Sequence, residues 1–331
     1  MVRIFPVNEL QAAASLSAHA ELPAFAIEQC EKHGCDAHVI VVRDSVLVAR
    51  ASLWWSRAPA MSGERPGIVG YFAAVDEAAA KELLEAACNE LKHRGCSICV
   101  GPMDGNTWRR YRLVTERGSE PTFFLEPDNP DEWPGFFEAA NFAPLATYFS
   151  AMNSDLTVED PRVARATERL ETDGVGLRPL QSEDFVEELR RIYTVSRTAF
   201  QENFLYSPIE EAEFLAQYEP IRAHVVPELV ILAEQAGEPV GFVFSIPDLA
   251  QAKRGERVDT VILKTVAVMP GRRCAGLGNV LVSRCQQAAR TLGFRRVIHA
   301  LMHESNNSLN LSARYAKSFR RYILYARKLP G

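Results

Sequence analysis

The 331 residues contain no run of 18 apolar side chains, so nothing reads as a bilayer-spanning helix. The start, Met1-Val2-Arg3-Ile4-Phe5-Pro6, passes into a stretch broken by Asn8, Glu9, Gln11 and His19. It lacks an apolar h-region, so no secretory signal is visible and a cytoplasmic location is expected. Positive charge is not in excess either: 37 Lys and Arg face 42 Asp and Glu, a net charge of −5. The chain therefore lacks the basic surplus of a general nucleic-acid binder. What it has is 47% apolar and 24% charged residues, which excludes disorder and collagen-like repeats. Seven cysteines, an odd number in a chain long enough to bury its own core, are expected to be reduced thiols.

Two cysteine groups invite a metal reading, and neither has the pattern for it. Cys96-Ser97-Ile98-Cys99 lies in an apolar run that reads as a strand, where residues three apart face opposite sides. Cys30, His33, Cys35 and His38 fall within nine residues, whereas zinc sites usually take two ligands from each of two turns with a longer loop between. Gly34 more simply ends a helix, and no metal is expected.

The length suggests two domains. In the first part a helix is predicted over Pro23–His33, a hairpin from His38–Val42 and Val46–Trp55, a strand over Gly67–Val75, a helix over Glu77–Lys92 and a strand over Cys96–Val100. The second part repeats that order. Its strands are Leu177–Leu180, Leu229–Glu234, Val240–Ile246, Val261–Val268, Arg296–Leu301 and Arg321–Arg327. Its helices run from Ser182 through Phe200, over Leu277–Leu292 and over Asn306–Ala316. A period of about 150 residues fits a duplicated domain rather than a solenoid. The expected boundaries are 1–155, a helical linker at 156–174, and 175–331. Each half is α/β or α+β, with a mixed sheet flanked by helices.

The most informative segment is Val266-Ala267-Val268-Met269-Pro270-Gly271-Arg272-Arg273-Cys274-Ala275-Gly276-Leu277-Gly278. A strand ends at Pro270, and a glycine-rich loop opens onto an amphipathic helix. A helix N-terminus offers unpaired N–H groups and the positive end of the dipole, and both favour an anion. Gly276 and Gly278 let backbone approach a phosphate, and Arg272 or Arg273 can add counter-charge. The sequence lacks what rival motifs need. Asn279 follows Gly278 where a Walker loop requires Lys, and Leu281 stands where a Rossmann fingerprint wants a third glycine.

Arg273, Gly276 and Gly278, with Pro270 before them, resemble the Arg-x-x-Gly-x-Gly turn of the GNAT superfamily of acyl-CoA-dependent N-acetyltransferases. Glu304-Ser305-Asn306-Asn307-Ser308 is similar to that family's Asn-containing helix start. The resemblance implies two tandem GNAT folds, with acetyl-CoA or another acyl-CoA as cosubstrate and no metal. The N–H groups of Arg273, Cys274, Ala275, Gly276, Leu277, Gly278 and Asn279 would hold the pyrophosphate. The backbone of Val266, Ala267 and Val268 would pair with the pantetheine arm, which Asn306 or Asn307 would contact. Tyr315 stands one residue from the family's acid Tyr, a slip that turns a helical side chain by about 100°. His303, Glu202 and Glu304 are available as base, His303 with a suitable unperturbed pKa. Lys264 and Thr265 could instead face substrate.

The first half differs at the matching turn. Its strand passes directly to Asp76-Glu77, where a carboxylate would occupy the anion's place, and Phe137 stands where the family has Tyr. This copy is expected to bind no CoA. Its loop Gly101–Arg112 is dense in ligand-binding side chains, and Trp108, Arg109 and Arg112 could hold substrate; a packed Arg–carboxylate network is the alternative. The expected activity is acyl transfer to the amine of a small molecule, without nucleic-acid or membrane partners. The alternative is a non-catalytic acyl-CoA-binding regulator or scaffold. A homo-oligomer is compatible with the sequence.

Overall fold

A computed structural model describes residues 1–10, 16–305 and 316–330. The first half contributes β1 (Val2–Pro6), α1 (Glu28–Lys32), β2 (Ala37–Arg43), β3 (Val46–Trp54) and β4 (Pro66–Ala74). It continues with α2 (Glu77–His93), β5 (Ile98–Gly101), β6 (Leu113–Glu116), α3 (Trp133–Ala139) and β7 (Ala143–Asn153). The connector is α4 (Pro161–Thr172). The second half holds β8 (Val175–Pro179), α5 (Phe185–Ala199), α6 (Glu211–Tyr218), β9 (Val230–Gln235) and β10 (Glu238–Pro247). It ends with α7 (Leu249–Lys253), β11 (Thr260–Val268), α8 (Leu277–Thr291), β12 (Arg296–His303) and β13 (Lys317–Lys328).

Local chemistry sets these elements. Asp76 caps α2 by accepting the Ala79 N–H at 2.6 Å, and Leu83, Leu84, Ala87 and Leu91 bury one stripe against the sheet. Strand β2 is buried on both faces, so it reads as a continuous apolar run rather than an alternation. The helix expected from Pro23 to His33 shortens to Glu28–Lys32, and the Pro23 carbonyl accepts from Arg50 at 2.8 Å instead of from a helical N–H. Residues 306–315, within the expected last helix, lie outside the described residues.

The strands form one continuous sheet in the order β1-β2-β3-β4-β5-β13-β7-β12-β11-β10-β9-β8, with β6 beside β13. Only β4/β5 and β11/β12 run parallel among the described pairs, each across a helical crossover. The order shows an exchange. Strand β7, from the first half, pairs with β12 of the second, while β13, from the second, pairs with β5 and β6 of the first. The two traded strands also pair with each other from Lys317↔Met152 to Ala326↔Ala143.

Tyr322, Leu324 and Tyr325 of β13 are fully buried, packing Tyr325 into the core under α2 and Tyr322 and Leu324 into the opposite face. Side chains add cross-links between the halves: Arg109 to Glu213, Arg296 to Glu120, and the Phe124 N–H to Asp248 at 2.8 Å. All seven cysteines are free thiols and buried. Among the described residues, no group of three or more His, Cys, Asp or Glu is placed to hold a metal, and no helix is long and apolar enough to cross a membrane.

Candidate active site between splayed strands

Strands β11 and β12 part company halfway along. They pair only from Thr260↔Arg296 to Leu263↔His299. Beyond that point, among the described residues, β11 is bonded to β10 alone and β12 to β7 alone. Two irregularities drive the strands apart: β10 shifts register between Phe244 and Ser245, and β12 shifts between His299 and Met302, with Leu301 at φ +58°. The segments Lys264–Val268 and Ala300–His303 thus each present an unpaired edge to a common gap. Such an edge is a template for an added extended chain.

The gap leads to the glycine turn. Gly271 (φ +129°) starts a short 3₁₀ turn at Arg272–Cys274, and Gly276 (φ +79°) hands the chain to α8. Buried Cys274 and Leu277 anchor the turn, while Arg272, Arg273, Ala275 and Gly276 stay exposed. Two of the N–H groups expected to meet a phosphate are already used: Ala275 donates to the Arg272 carbonyl at 3.2 Å and Asn279 to that of Gly276 at 3.1 Å. That leaves the N–H groups of Arg273, Cys274, Gly276, Leu277 and Gly278 for the cradle. Linker helix α4 leans on the same turn, with Arg169 donating to the Ala275 carbonyl and Ala166 beside Gly276. A cavity of about 530 Å³ lies elsewhere, behind the turn between α4, β8 and α8, and meets the turn only at Leu277.

Residues 186–315 match the model of the acetyltransferase (GNAT) family. The C-terminal half carries that match and has the GNAT fold. Two relatives and one solved structure extend the comparison. The chain is 26% identical to the bacterial ceramide synthase of Caulobacter vibrioides over 57% of its own length, and spans half the length of that protein. It is 22% identical to Protein YghO of Escherichia coli, covering 81% of this chain and 75% of that one. A GCN5-related N-acetyltransferase from Anabaena variabilis superposes on the whole chain and on 73% of its own, with a TM-score of 0.56 at 8% identity, so it shares the fold. The whole chain is two GNAT folds in tandem, joined through the exchanged strands.

Around the gap, the structure gathers some of the expected side chains. His303 ends β12, packed edge-on to Tyr148 of β7 (centroids 4.8 Å apart) and near Phe204. Its Nδ1 accepts from the Ser305 N–H at 3.1 Å and pairs with the Ser305 hydroxyl at 2.8 Å. Because a backbone N–H can only donate, the neutral ring carries its proton on Nε2, which is buried and unpartnered. Burial holds the His303 pKa below the usual imidazole value. Lys264 is exposed, with its ammonium 5.0 Å from the Tyr218 ring centroid. Glu202 sits on an exposed turn after α5. Asn306, Asn307 and Tyr315 lie outside the described residues.

The arginine-rich loop divides its labour. The Trp108 indole donates to the Ser207 carbonyl at 2.7 Å and packs on Phe200, Tyr206 and Phe214. Arg109 pairs with Glu213 and donates to the carbonyls of His33 and Asp104. Those two stitch the halves together, whereas Arg112 has no carboxylate partner among the described residues.

Sequence reasoning missed a buried chain beside the β12 bulge. The Leu301 N–H donates to Ser150 (3.1 Å), Ser150 and Tyr322 share a bond of 3.0 Å, and Tyr322 donates to Glu126 at 2.5 Å. Arg320 faces the same carboxylate at 3.0 Å, and both partners are essentially unexposed. Burial pushes the Glu126 carboxyl up. No local signal marks this chain, since its members come from four separate stretches.

The matching place in the first half is filled. Strands β4 and β5 pair only from Pro66 to Ile68, and the Met103 N–H then bonds the Val69 carbonyl at 2.8 Å. Asp104 accepts the Tyr71 N–H at 2.6 Å, and a Cβ on Gly70 would lie 2.0 Å from the Met103 carbonyl oxygen. At the head of α2, the Asp76 carboxylate takes the Ala79 N–H and pairs with Arg43 at 2.8 Å.

Proposed function

We propose that this chain is an acyl-CoA-dependent N-acyltransferase that uses acetyl-CoA to acylate the amine of a small molecule. One observation carries the reading: two splayed strands with unpaired edges lead from the centre of the sheet to an exposed glycine turn at the N-terminus of α8. The free edges of Lys264–Val268 suit an amide-bearing arm, and the N–H groups about Gly276–Gly278, with Arg272 and Arg273, suit a pyrophosphate. The cosubstrate supplies a thioester, whose carbonyl carbon a neutral amine attacks as the C–S bond breaks and the thiolate takes a proton.

The chain's own residues position and exclude. Phe204, Tyr148 and Leu301 would wall the reacting end from water. His303, neutral near pH 7 with its proton on Nε2, suits a hydrogen bond to an oxygen; it does not suit removal of the amine proton.

A second reading keeps the reaction and lengthens the acyl group. The similarity to a protein named bacterial ceramide synthase motivates it, since a ceramide is a fatty amide. Partly buried Phe200, Met269, Ala300 and Phe319 give an apolar lining around the same core.

Calorimetry with acetyl-CoA and longer acyl-CoAs, followed by a thiol-release assay over an amine panel, tests these readings. Micromolar binding with amine-dependent thiol release is expected, and a preference for long chains would favour the second reading. Binding without turnover on any amine would point to a regulator, and absence of binding to every acyl-CoA would refute the proposal.

A further inference from the structure

Among the described residues, Arg112 is a buried cation without a counter-ion. Its φ of +69° and the bond from its N–H to the Pro102 carbonyl (2.8 Å) turn it inward from the first half's loop, and the residue is 5% exposed. The guanidinium carbon lies 4.0 Å from the Tyr111 ring centroid, 4.2 Å from that of Tyr148 and 5.8 Å from that of Tyr322. Nη1 donates to the Tyr111 hydroxyl at 2.7 Å, while Nε is buried with no partner. Residues 11–15 and 306–315 contain no Asp or Glu that could supply a carboxylate. Of the other buried arginines, Arg320 has Glu126, while Arg50 lies over the Phe25 ring and donates to the Pro23 carbonyl.

A second orphaned donor lies against the same ring. His303 Nε2–H is buried and unpartnered, and its imidazole packs on Tyr148, whose ring also carries Arg112. Two donors without acceptors among the described residues, one of them cationic, are costly to bury unless an anionic oxygen reaches them. The planar fork of a guanidinium matches a carboxylate. Tyr111, Phe204 and His303 remain partly exposed, so the cluster reaches the surface. It also adjoins the end of β12, one wall of the splayed gap.

We propose that the acceptor amine carries a carboxylate, which Arg112 and His303 Nε2–H receive in the crevice between the two halves. This rests on the acyl-transfer reading of the adjacent gap. A carboxylate held there would tether the acceptor beside the thioester, and the first half would contribute specificity without touching the cosubstrate.

The test is thiol release from acetyl-CoA with L-amino acids and ω-amino acids, each against its primary amide. The free acids should exceed their amides by at least about 10-fold in kcat/KM. Arg112→Met should raise KM for the acids by about 10-fold or more and leave kcat nearly unchanged; Arg112→Lys should recover part of the loss. Acetyl-CoA affinity, measured by calorimetry, should not move in either variant. Thermal unfolding of the unaltered protein with each pair supplies an arm that needs no variant: acids should raise Tm and amides should not. Equal use of acids and amides, an unchanged KM in Arg112→Met, or the lack of any carboxylate-dependent turnover or Tm shift would overturn the proposal. Failure to bind acetyl-CoA alongside a carboxylate-dependent Tm shift would instead strike the acyl-transfer reading.

Discussion

Separating the two halves should unfold the first. Residues 1–155 expressed alone keep β1 to β7 but lose β13, which lies between β5 and β7 and also bonds β6. The loss removes Tyr322, Leu324 and Tyr325, all with 0% exposure. Truncating a buried aromatic or leucine costs roughly 2–5 kcal/mol, so the three together approach about 10 kcal/mol. Whole-domain stability is about 5–15 kcal/mol, and two unpaired strand edges add to the deficit. The fragment should therefore show no cooperative urea transition by circular dichroism. Mixing it with residues 156–331 during refolding should yield one complex on size-exclusion chromatography that melts in a single step. A fragment 1–155 that is monomeric and unfolds cooperatively near the midpoint of the full chain would refute the reasoning.

Three further outcomes follow from single residues. Gly276→Val meets φ +79° at an exposed turn; it should cost about 1–2 kcal/mol of stability from left-handed strain and weaken acetyl-CoA by at least about 10-fold, and an unchanged Kd in calorimetry would place the pyrophosphate elsewhere. Gly70→Ala forces a Cβ to 2.0 Å from the Met103 carbonyl oxygen, a backbone atom that cannot rotate away. About 3 kcal/mol of destabilisation is expected in urea unfolding, and a loss below about 1 kcal/mol would contradict it. His299 is fully buried, and burial draws its pKa down to about 4. The unfolded chain therefore takes up a proton near pH 6.5 that the folded chain refuses. Stability should be full above that pH and fall by about 3 kcal/mol as pH drops toward 4. Urea midpoints at pH 7, 6 and 5 check this, and His299→Gln should flatten the slope.

Much of the strand–turn–helix at the candidate site was legible because local spacing encodes it. The run Val261–Val268, the glycines at 271, 276 and 278, and the stripe of α8 define a strand, turn and helix without outside help. Asp76 likewise announced itself as a helix cap. The strand exchange was not legible. The apolar runs in β7 and β13 fit a sheet in either half, and nothing local names the neighbour. The arginine loop shows the same limit at single-residue scale. Arg109 and Arg112 look alike in sequence, yet Glu213, 104 positions away, neutralises one, and no described carboxylate reaches the other. His303 ends β12 beside the gap, and its proton position depends on the Ser305 backbone, which only the folded chain displays.

The loop at Met103 and Asp104 behaves like a ligand that the protein makes for itself. It bonds the strand edge of the first half where, in the second, an extended arm would lie. Being part of the same chain, it arrives at an effective concentration that a diffusing molecule in a cell does not match. A tethered occupant also need not dissociate after each turnover. Binding energy that the second half would use transiently is, in the first half, permanent architecture. On the acyl-transfer reading, the duplication would leave one groove to exchange its contents with solution and one closed on itself.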